Sequence, residues 1–277
     1  MSRLSAYLIV KNEARDLPGC LDSLKGLADE LVVVDDESSD LTPELCRERG
    51  AKVFNRKLEG YGSQKLYALE RCTGDWAFSI DADERVTPAL AEEIRSVLRA
   101  QGSGAQSLKP RAEVTGFWVS RRMYFLGKRL RFGGVGQDWV LRFFRRDKGS
   151  YQPLEIHEQV EVSGPTGKLR GTLDHFSYAT LEEYLEKLPA YTAMAARQRW
   201  VSGKRFRAWH HFRPVWELFN RVVLKGAWLD GQAGLMYAAL SAHAAWLRSV
   251  KLWELQNQGA PWTVDRARST EHGSRSL

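Results

Sequence analysis

Residues Leu31–Asp40 read LVVVDDESSD, and residues Gly74–Glu84 read GDWAFSIDADE. In each stretch a largely apolar run is followed at once by aspartates. An uninterrupted apolar run is typical of a strand that is buried on both faces of a parallel sheet. The carboxyl ends of such strands meet at the edge where open α/β sheets bind ligands. The sequence therefore predicts two acidic clusters at one ligand-binding edge.

The residues around these two stretches alternate between strand and helix patterns. The predicted strands are 4–10 and 51–54, and the predicted helices are 17–27 and 64–72. Thr42-Pro43 and Thr87-Pro88 each combine an N-cap residue with proline at the first helical position, which predicts two further helix starts. This alternation predicts an α/β fold, Rossmann-like, with a mostly parallel sheet and helices on both faces.

The pattern changes along the second half of the chain. Further strands are predicted near 116–124, 139–145, 156–162 and 171–176, whereas residues 181–256 have helical composition. The last residues lack an apolar period and are rich in Arg, Ser and Gly, which is typical of disorder. We therefore predict a domain over 1–180, a C-terminal helical extension over 181–256 and a disordered tail over 257–277.

The charge of the chain is unevenly distributed. The composition, 43% hydrophobic and 27% charged, is that of a globular protein and excludes a disordered or collagen-like chain. Residues 181–277 hold 14 Lys/Arg against 8 Asp/Glu, so +6 of the net charge of +7 lies there, together with seven of the ten Trp. A basic, Trp-rich segment indicates an anionic surface as partner, either a membrane or a nucleic acid.

The sequence predicts a peripheral rather than a membrane-spanning protein. The longest apolar stretch, Ala233–Leu247, is 15 residues long, whereas a spanning helix needs about 20. Three cysteines without metal or redox spacing are typical of a reducing compartment, and we expect no signal peptide. The predicted location is the cytoplasm, on a membrane surface.

Asp81 and Asp83 alternate along an extended segment, so their side chains point the same way. Two carboxylates, completed by phosphate oxygens, form a site for Mg²⁺ or Mn²⁺ on a nucleotide. The alternative is that they are solvated loop residues or helix N-caps. A haloacid-dehalogenase phosphatase motif fails because its fifth position is Arg85. A dinucleotide-binding motif fails because Lys11-Asn12-Glu13 follows the first strand in place of its glycines.

The chain resembles the family 2 glycosyltransferases, which have the GT-A fold. The matching residues are 5–12, 31–40 and 74–84, and the resemblance extends to 133–146 (GGVGQDWVLRFFRR) and 156–158 (IHE). With Leu173–Phe176 (LDHF) and the basic helical C-terminus, the chain is similar to the bacterial branch that glucosylates the heptose of the lipopolysaccharide inner core.

The resemblance implies a nucleotide-sugar site. Asp36, together with Asp35, would accept a hydrogen bond from uracil. Asp83 would coordinate the divalent ion that bridges the two phosphates, and Asp81 would bind the ribose or the metal. Lys65 would face the diphosphate, although a solvated helix lysine is an equal alternative.

The resemblance also implies a catalytic base and a further metal ligand. Asp138 occupies the position of the family's basic aspartate, but Gln137 stands where many members have Glu. Glu158 is the competing base, with His157 in a position to orient it. His175 is a candidate metal ligand, and the alternative is a structural histidine.

The resemblance implies an inverting transferase that moves a hexose, glucose from UDP-glucose, to a lipid-linked lipopolysaccharide core with Mg²⁺ or Mn²⁺. The expected location is the inner face of the inner membrane. The basic and aromatic residues of Arg197–Trp216 suit an anionic membrane surface. Alternatives are another envelope glycan or a protein as acceptor, or a non-catalytic nucleotide-sugar or anionic-surface binding protein. Nucleic acid could use the same composition, although none is expected as partner.

Overall fold

The computed structural model describes residues 2–102, 114–136, 138–151 and 160–258. The chain divides into two compact units, residues 1–179 and 180–277. The elements of the first unit are β1 (Leu4–Val10), α1 (Leu17–Leu24), β2 (Glu30–Asp35), α2 (Thr42–Glu48), β3 (Lys52–Asn55), α3 (Tyr61–Glu70), β4 (Trp76–Ser79), β5 (Glu84–Val86), α4 (Pro88–Gly102), β6 (Gly116–Phe125), β7 (Lys128–Arg129), β8 (Asp138–Arg145), β9 (Gly149–Tyr151), β10 (Val160–Val162) and β11 (Thr166–Tyr178).

Among the described residues, nine strands form one sheet in the order β3-β2-β1-β4-β8-β6-β11-β5, with β7 paired to β6. Strands β1 to β4 pair in parallel, as do β6 and β11. Strand β8 runs antiparallel to both β4 and β6, and β5 runs antiparallel to β11. The predicted α/β fold is thus confirmed, and the sheet is parallel over its first four strands and mixed beyond them.

Alternate residues of the central strands enter two separate cores. From β1, Leu4 and Leu8 join the core that contains α1, α2 and α4, whereas Tyr7 joins the core that contains α3. From β2, Val33 faces the first core and Val32 the second. Each fully buried Leu or Val side chain stabilises the fold by about 1.5–3 kcal/mol. Helices therefore cover both faces, as the apolar runs indicated.

The two Thr-Pro helix starts differ in their capping. Thr87 caps α4, because its Oγ1 accepts a hydrogen bond from the Leu90 N–H at 3.3 Å. The prediction that Thr42 caps α2 is wrong, since Thr42 is already helical. Its Oγ1 instead accepts a hydrogen bond at 2.8 Å from the N–H of Glu13, in the loop after β1. A tertiary contact has replaced the local cap.

The second unit is helical. Its elements are α5 (Leu181–Val201), a 3₁₀ turn (Ala208–Phe212), α6 (Arg213–Phe219), a π turn (Asn220–Leu224), a 3₁₀ turn (Ala227–Asp230) and α7 (Gly231–Gln258). Lys251 of α7 donates hydrogen bonds to the Pro189 carbonyl at 2.6 Å and to Thr192 Oγ1 at 2.8 Å, both on α5. No helix in the described part of the chain is long and apolar enough to cross a membrane. Of the tail predicted over 257–277, residues 259–277 lie outside the described residues.

Candidate active site

The short connection between β4 and β5 carries the Asp81-x-Asp83 pair, and together with Glu84, the first residue of β5, it contacts three other strands. Pairing of Phe78 with Phe143 places β8 beside β4, and pairing of Glu84 with His175 places β11 beside β5. The contacts that result are Asp81 with Arg142 on β8, Glu84 with Arg121 on β6, and Asp83 with His175 on β11. The strands that follow residue 115 therefore complete the acidic edge formed by the first four.

Asp81 is held by two cations. The Arg142 guanidinium donates a hydrogen bond to one carboxylate oxygen, and Lys65 Nζ lies 3.5 Å from the other. Burial alone would raise the pKa of the Asp81 carboxyl, but the positive charges of Arg142 and Lys65 outweigh it and hold that pKa well below its usual range. Asp81 is thus a permanent anion in this site.

Glu84 and Arg142 form a buried ion pair beneath this edge. Arg142 Nη2 lies 2.9 Å from Glu84 Oε1, and the relative exposures of the two residues are 7% and 0%. Burial would lower the pKa of Arg142, but the charges of Asp81 and Glu84 raise it well above its usual range. From the sequence, Arg142 is one of nine Lys and Arg residues of 121–148 that could bind the donor diphosphate or an anionic acceptor, whereas Glu84 has no expected role. The available signal was an arginine between apolar residues of a strand, because a buried charge requires a charged partner.

Asp83 and His175 form the pair best suited to a divalent ion. Asp83 Oδ2 and His175 Nε2 are 3.1 Å apart, and both side chains are partly exposed. Burial would lower the pKa of the His175 imidazole, but the hydrogen bond and the charge of Asp83 outweigh it and raise that pKa. A separation of about 3 Å is what adjacent ligands have around an octahedral ion with bonds of about 2.1 Å.

The donor set of this pair fits a metal that is shared with a ligand. No group of three His, Cys, Asp or Glu side chains converges within the described ranges. Asp83 and His175 could therefore supply two of the ligands, and oxygens from a bound anion and water would complete the coordination. Mg²⁺ typically binds nucleotides in this way, through one or two protein groups plus phosphate oxygens.

Asp138 is joined to the same edge through Arg121. The two residues are cross-strand neighbours on β8 and β6, and Arg121 Nε donates to Asp138 Oδ2 at 2.9 Å. Because Arg121 also lies 3.2 Å from Glu84, a chain of ion pairs runs from Lys65 to Asp138 through Asp81, Arg142, Glu84 and Arg121. The competing base Glu158 and its neighbour His157 lie outside the described residues.

The second acidic cluster follows β2. Asp36 accepts hydrogen bonds from the Leu58 N–H at 2.7 Å and from Lys11 Nζ at 2.8 Å. Asp35 accepts one from the Ser38 N–H at 3.0 Å through Oδ2. Its Oδ1 is buried and has no partner among the described residues. A buried acceptor without a donor is a place where a ligand N–H would be stabilised.

The loops that flank this cluster are constrained. Asn12 and Glu37 both have left-handed backbone conformations, with φ of 53° and 51°. The Asn12 N–H donates to Ser38 Oγ at 2.9 Å, and Asn12 Oδ1 accepts from the Ser39 N–H at 2.8 Å. Left-handed residues other than glycine persist only where the surrounding structure holds them in place, and they occur often at ligand sites.

Comparison with known proteins shows the family of this chain. Residues 5–159 match the family model "Glycosyl transferase family 2", and the chain belongs to this family of transferases, as predicted from the sequence. Lipopolysaccharide core biosynthesis glycosyltransferase LpsC of Rhizobium meliloti (strain 1021) is 33% identical over 274 residues, which is 96% of this chain and 97% of that protein.

A second curated protein and a solved structure are also similar to this chain. An uncharacterized glycosyltransferase of Rickettsia typhi (strain ATCC VR-144 / Wilmington) is 27% identical over 92% of this chain and 88% of its own length. Among solved structures, glucosyl-3-phosphoglycerate synthase from Mycobacterium tuberculosis in complex with Mn²⁺, UDP and glucosyl-3-phosphoglycerate is 17% identical. It has a TM-score of 0.44 over 70% of this chain and 78% of that one.

Proposed function

We propose that this chain is a metal-dependent, inverting hexosyltransferase that moves glucose from UDP-glucose to a heptose of a lipid-linked lipopolysaccharide core. The observation that carries the proposal is the Asp83–His175 pair, 3.1 Å apart on the edge that also bears Asp81. Membership of family 2 supports glycosyl transfer, and the similarity to LpsC over nearly the whole chain supports a core acceptor.

The donor nucleotide would bind across the two acidic clusters. Asp35 and Asp36 offer carboxylate oxygens to the uracil N–H, and the unpartnered Oδ1 of Asp35 supports this role. Lys65 and Arg142 would place positive charge beside the diphosphate. Asp81, whose carboxylate is already bound by both cations, would accept a hydrogen bond from a ribose hydroxyl.

Asp83 and His175 would hold Mg²⁺ or Mn²⁺. When bound there, the ion supplies positive charge to the departing diphosphate. His175 must be neutral to offer a nitrogen lone pair, so occupancy of this site by a cation and protonation of His175 exclude each other.

Asp138 would act as the general base. A sugar hydroxyl is a weak nucleophile near neutral pH, so a carboxylate must accept its proton as the attack begins. The hydroxyl oxygen bonds to the anomeric carbon while the bond from that carbon to the diphosphate oxygen breaks. Attack opposite the leaving group inverts the centre, so an α-linked donor yields a β-linked product. Glu158 is the alternative base.

The C-terminal unit would bind an anionic membrane surface at the inner face of the inner membrane. Several of its large apolar side chains are between 46% and 74% exposed: Trp209, Phe212, Trp216, Phe219 and Trp228. Exposed aromatics next to Lys and Arg are the composition of an interfacial segment, in which rings enter the headgroup boundary and cations contact lipid phosphates.

A transfer assay tests the proposal. Radiolabelled UDP-glucose is supplied with Mn²⁺ and a core lipopolysaccharide that lacks the hexose on its heptose. We expect wild-type transfer, and a loss of about 100-fold or more in Asp138→Asn with UDP affinity unchanged. Retained transfer in Asp138→Asn together with loss in Glu158→Gln would move the base to Glu158. No transfer by the wild type from any nucleotide sugar would contradict the proposal.

A further inference from the structure

The C-terminal unit contains a cavity of about 500 Å³ whose walls are strongly basic. It is lined by Arg199 in the last turn of α5, by seven residues between 203 and 213, and by Leu252 of α7. Five of the lining side chains are cations: Arg199, Lys204, Arg205, Arg207 and Arg213. All of its lining residues belong to the second unit, and none is among the residues proposed above for the donor or the metal.

Among the residues that the structure describes, no Asp or Glu lines this cavity, so these five cations have no acidic counterpart in those walls. Two ion pairs of the unit, Lys187 with Glu183 and Arg221 with Glu217, involve none of the lining residues. The cation that is most firmly placed is Arg205, whose guanidinium lies 3.8 Å from the centre of the Trp200 ring and donates to the Trp200 carbonyl at 3.1 Å. Arg205 is therefore held in place by contacts within the unit, and its described neighbours in the cavity walls supply no counter-charge.

The cations of this region repel one another. Burial lowers the pKa of Arg199, and the charges of Arg213 and Arg248 lower it further. Burial also lowers the pKa of His210, and Arg213 and Arg199 add to that effect. Arg248 contributes a buried Nε that has no partner in the described part of the chain. A bound anion would relieve this repulsion, and guanidinium groups bind phosphate oxygens in pairs of hydrogen bonds.

An aromatic wall stands beside the cations. The Trp209 and His210 rings are stacked with their centres 3.9 Å apart, and Trp209 is half exposed. This wall offers an apolar surface to whatever group carries the anion. Free chloride would gain nothing from such a wall, whereas a phosphate ester would contact both the cations and the ring.

We propose that this cavity is a binding site for the phosphate group of a phosphate ester. Two sources share this chemistry, a phosphorylated saccharide and a lipid headgroup. The proposal does not depend on the donor site, because the two sets of residues are separate.

Calorimetric titration of inorganic phosphate into the full chain at low ionic strength tests the site, with equal ionic strength maintained by chloride. We expect saturable binding that is weakened at least tenfold in the double variant Arg199→Gln, Arg213→Gln. The matched control is Arg197→Gln, Lys225→Gln, which removes the same charge from exposed residues of the same unit that do not line the cavity. Binding that survives in the first variant, or that falls equally in both, would overturn the proposal.

Two further variants keep the test decisive. Lys204→Gln, Arg207→Gln alters exposed lining residues and so does not threaten folding; it should also weaken phosphate binding. Asp83→Ala should leave phosphate binding unchanged, which separates this site from the proposed donor site. If phosphate binding is instead lost in Asp83→Ala and kept in both cavity variants, the anion site lies elsewhere and the proposal fails.

The source of the phosphate is identified in a second arm. Glucose 6-phosphate is titrated in solution, and sedimentation is measured with phosphatidylcholine vesicles that contain or lack phosphatidic acid. Tighter binding of glucose 6-phosphate than of phosphate, lost in Arg199→Gln, Arg213→Gln, supports a saccharide ester. Sedimentation with phosphatidic acid that is lost in the same variant supports a lipid headgroup. If neither depends on these arginines, the site is not one for phosphate esters.

Discussion

Asp83 and His175 lie 3.1 Å apart, and the charge on the imidazole decides what this pair can bind. With a proton on both nitrogens, His175 is a cation paired with Asp83. Without the second proton, the same two side chains present an oxygen and a nitrogen lone pair to a metal. The raised pKa of His175 therefore sets the pH range in which the proposed metal site is available.

Metal-dependent UDP binding should strengthen as the pH rises through the pKa of His175, which lies above its ordinary value of 6.5. Below that pKa a proton must leave before the metal binds, so the affinity for Mn²⁺ should fall by up to about tenfold per pH unit. Above it the affinity should level off. Calorimetry at a series of pH values measures this slope. The dependence of Mn²⁺ affinity on pH should become flat in His175→Gln and stay unchanged in His211→Gln, which alters an exposed histidine. A slope in His175→Gln equal to that of the wild type would contradict the assignment of His175 as a metal ligand.

Arg142 should be the most costly of these cations to remove, because Glu84 is fully buried beside it. In Arg142→Met the charges of Glu84 and Asp81 are left without their partner, which should lower the free energy of unfolding by about 3–5 kcal/mol. Urea denaturation measures the change. Arg145→Met removes a cation from the same strand that is 42% exposed and paired with Asp147, and should cost under about 1 kcal/mol. Similar losses in the two variants would show that the pair with Glu84 is not a buried ion pair.

The aspartates of the candidate site could be predicted from the sequence, whereas the buried ion pair of Glu84 and Arg142 beside Asp81 could not. Asp35, Asp36, Asp81 and Asp83 each follow an apolar run, which is a local pattern. The pairing of Glu84 with Arg142 joins residues 58 positions apart and depends on β8 lying beside β4. His175 was identified only through the family resemblance, because nothing in its neighbours predicts that β11 pairs with β5.

At the level of elements, too, local patterns could be predicted from the sequence and long-range pairings could not. The first four strands were predicted to within one residue, and the ends of the helices between them to within three, because each strand–helix repeat has its own hydrophobic period. The antiparallel position of β8 between β4 and β6 has no such local signature, since it results from side-chain packing across the sheet. The Thr42 cap failed for a related reason: the loop after β1 competes for the same hydroxyl.

Gly171 should be essential to the packing of β11 against α4. A Cβ at this position would lie 2.3 Å from the Cα of Leu90, so the backbone of β11 or of α4 would have to shift. Gly171→Ala should lower the free energy of unfolding by about 2–3 kcal/mol. Gly60, whose φ of 168° is extended and whose Cβ would meet nothing within 4 Å, is the control. Gly60→Ala should cost under about 1 kcal/mol, and equal effects in thermal unfolding would contradict this packing.

Glu30, the first residue of β2, should make the stability of the sheet sensitive to acid. Burial would raise its pKa, but hydrogen bonds from Lys52, Ser5 and Thr73 outweigh it and lower the pKa from 4.5 to about 2. The stabilisation is therefore complete above the unfolded value of 4.5 and is lost as the pH falls toward 2. It amounts to about 3 kcal/mol at most.

Urea denaturation of the wild type and of Glu30→Gln, at neutral pH and at about pH 3, tests whether the protonation of Glu30 controls the stability. The variant should be less stable at neutral pH, and its stability should fall less on acidification. Glu44→Gln, an exposed residue of α2, should follow the wild type. Parallel pH curves for wild type and Glu30→Gln would rule out Glu30 as the acid-sensitive group.

On the scale of the whole molecule, charge and chemistry lie in different units. Residues 1–180 are almost neutral, with 27 Lys/Arg against 26 Asp/Glu, and hold the proposed donor and metal residues. The second unit holds most of the net charge, the exposed aromatic residues and the basic cavity. Composition predicted this asymmetry, because charge is additive along a chain. The cavity could not be predicted, since it depends on how residues 203–213 pack against α5 and α7.

If Asp83 anchors a metal-dependent nucleotide site, the affinity for UDP must depend on both Mn²⁺ and Asp83, and calorimetric titration of UDP with and without Mn²⁺ measures both dependences. Wild type and Asp147→Ala, which alters an exposed aspartate outside the site, should bind UDP at least tenfold more tightly with Mn²⁺ than without. In Asp83→Ala this dependence on Mn²⁺ should disappear. UDP binding that is equal with and without the metal, or that keeps its full metal dependence in Asp83→Ala, would contradict the account.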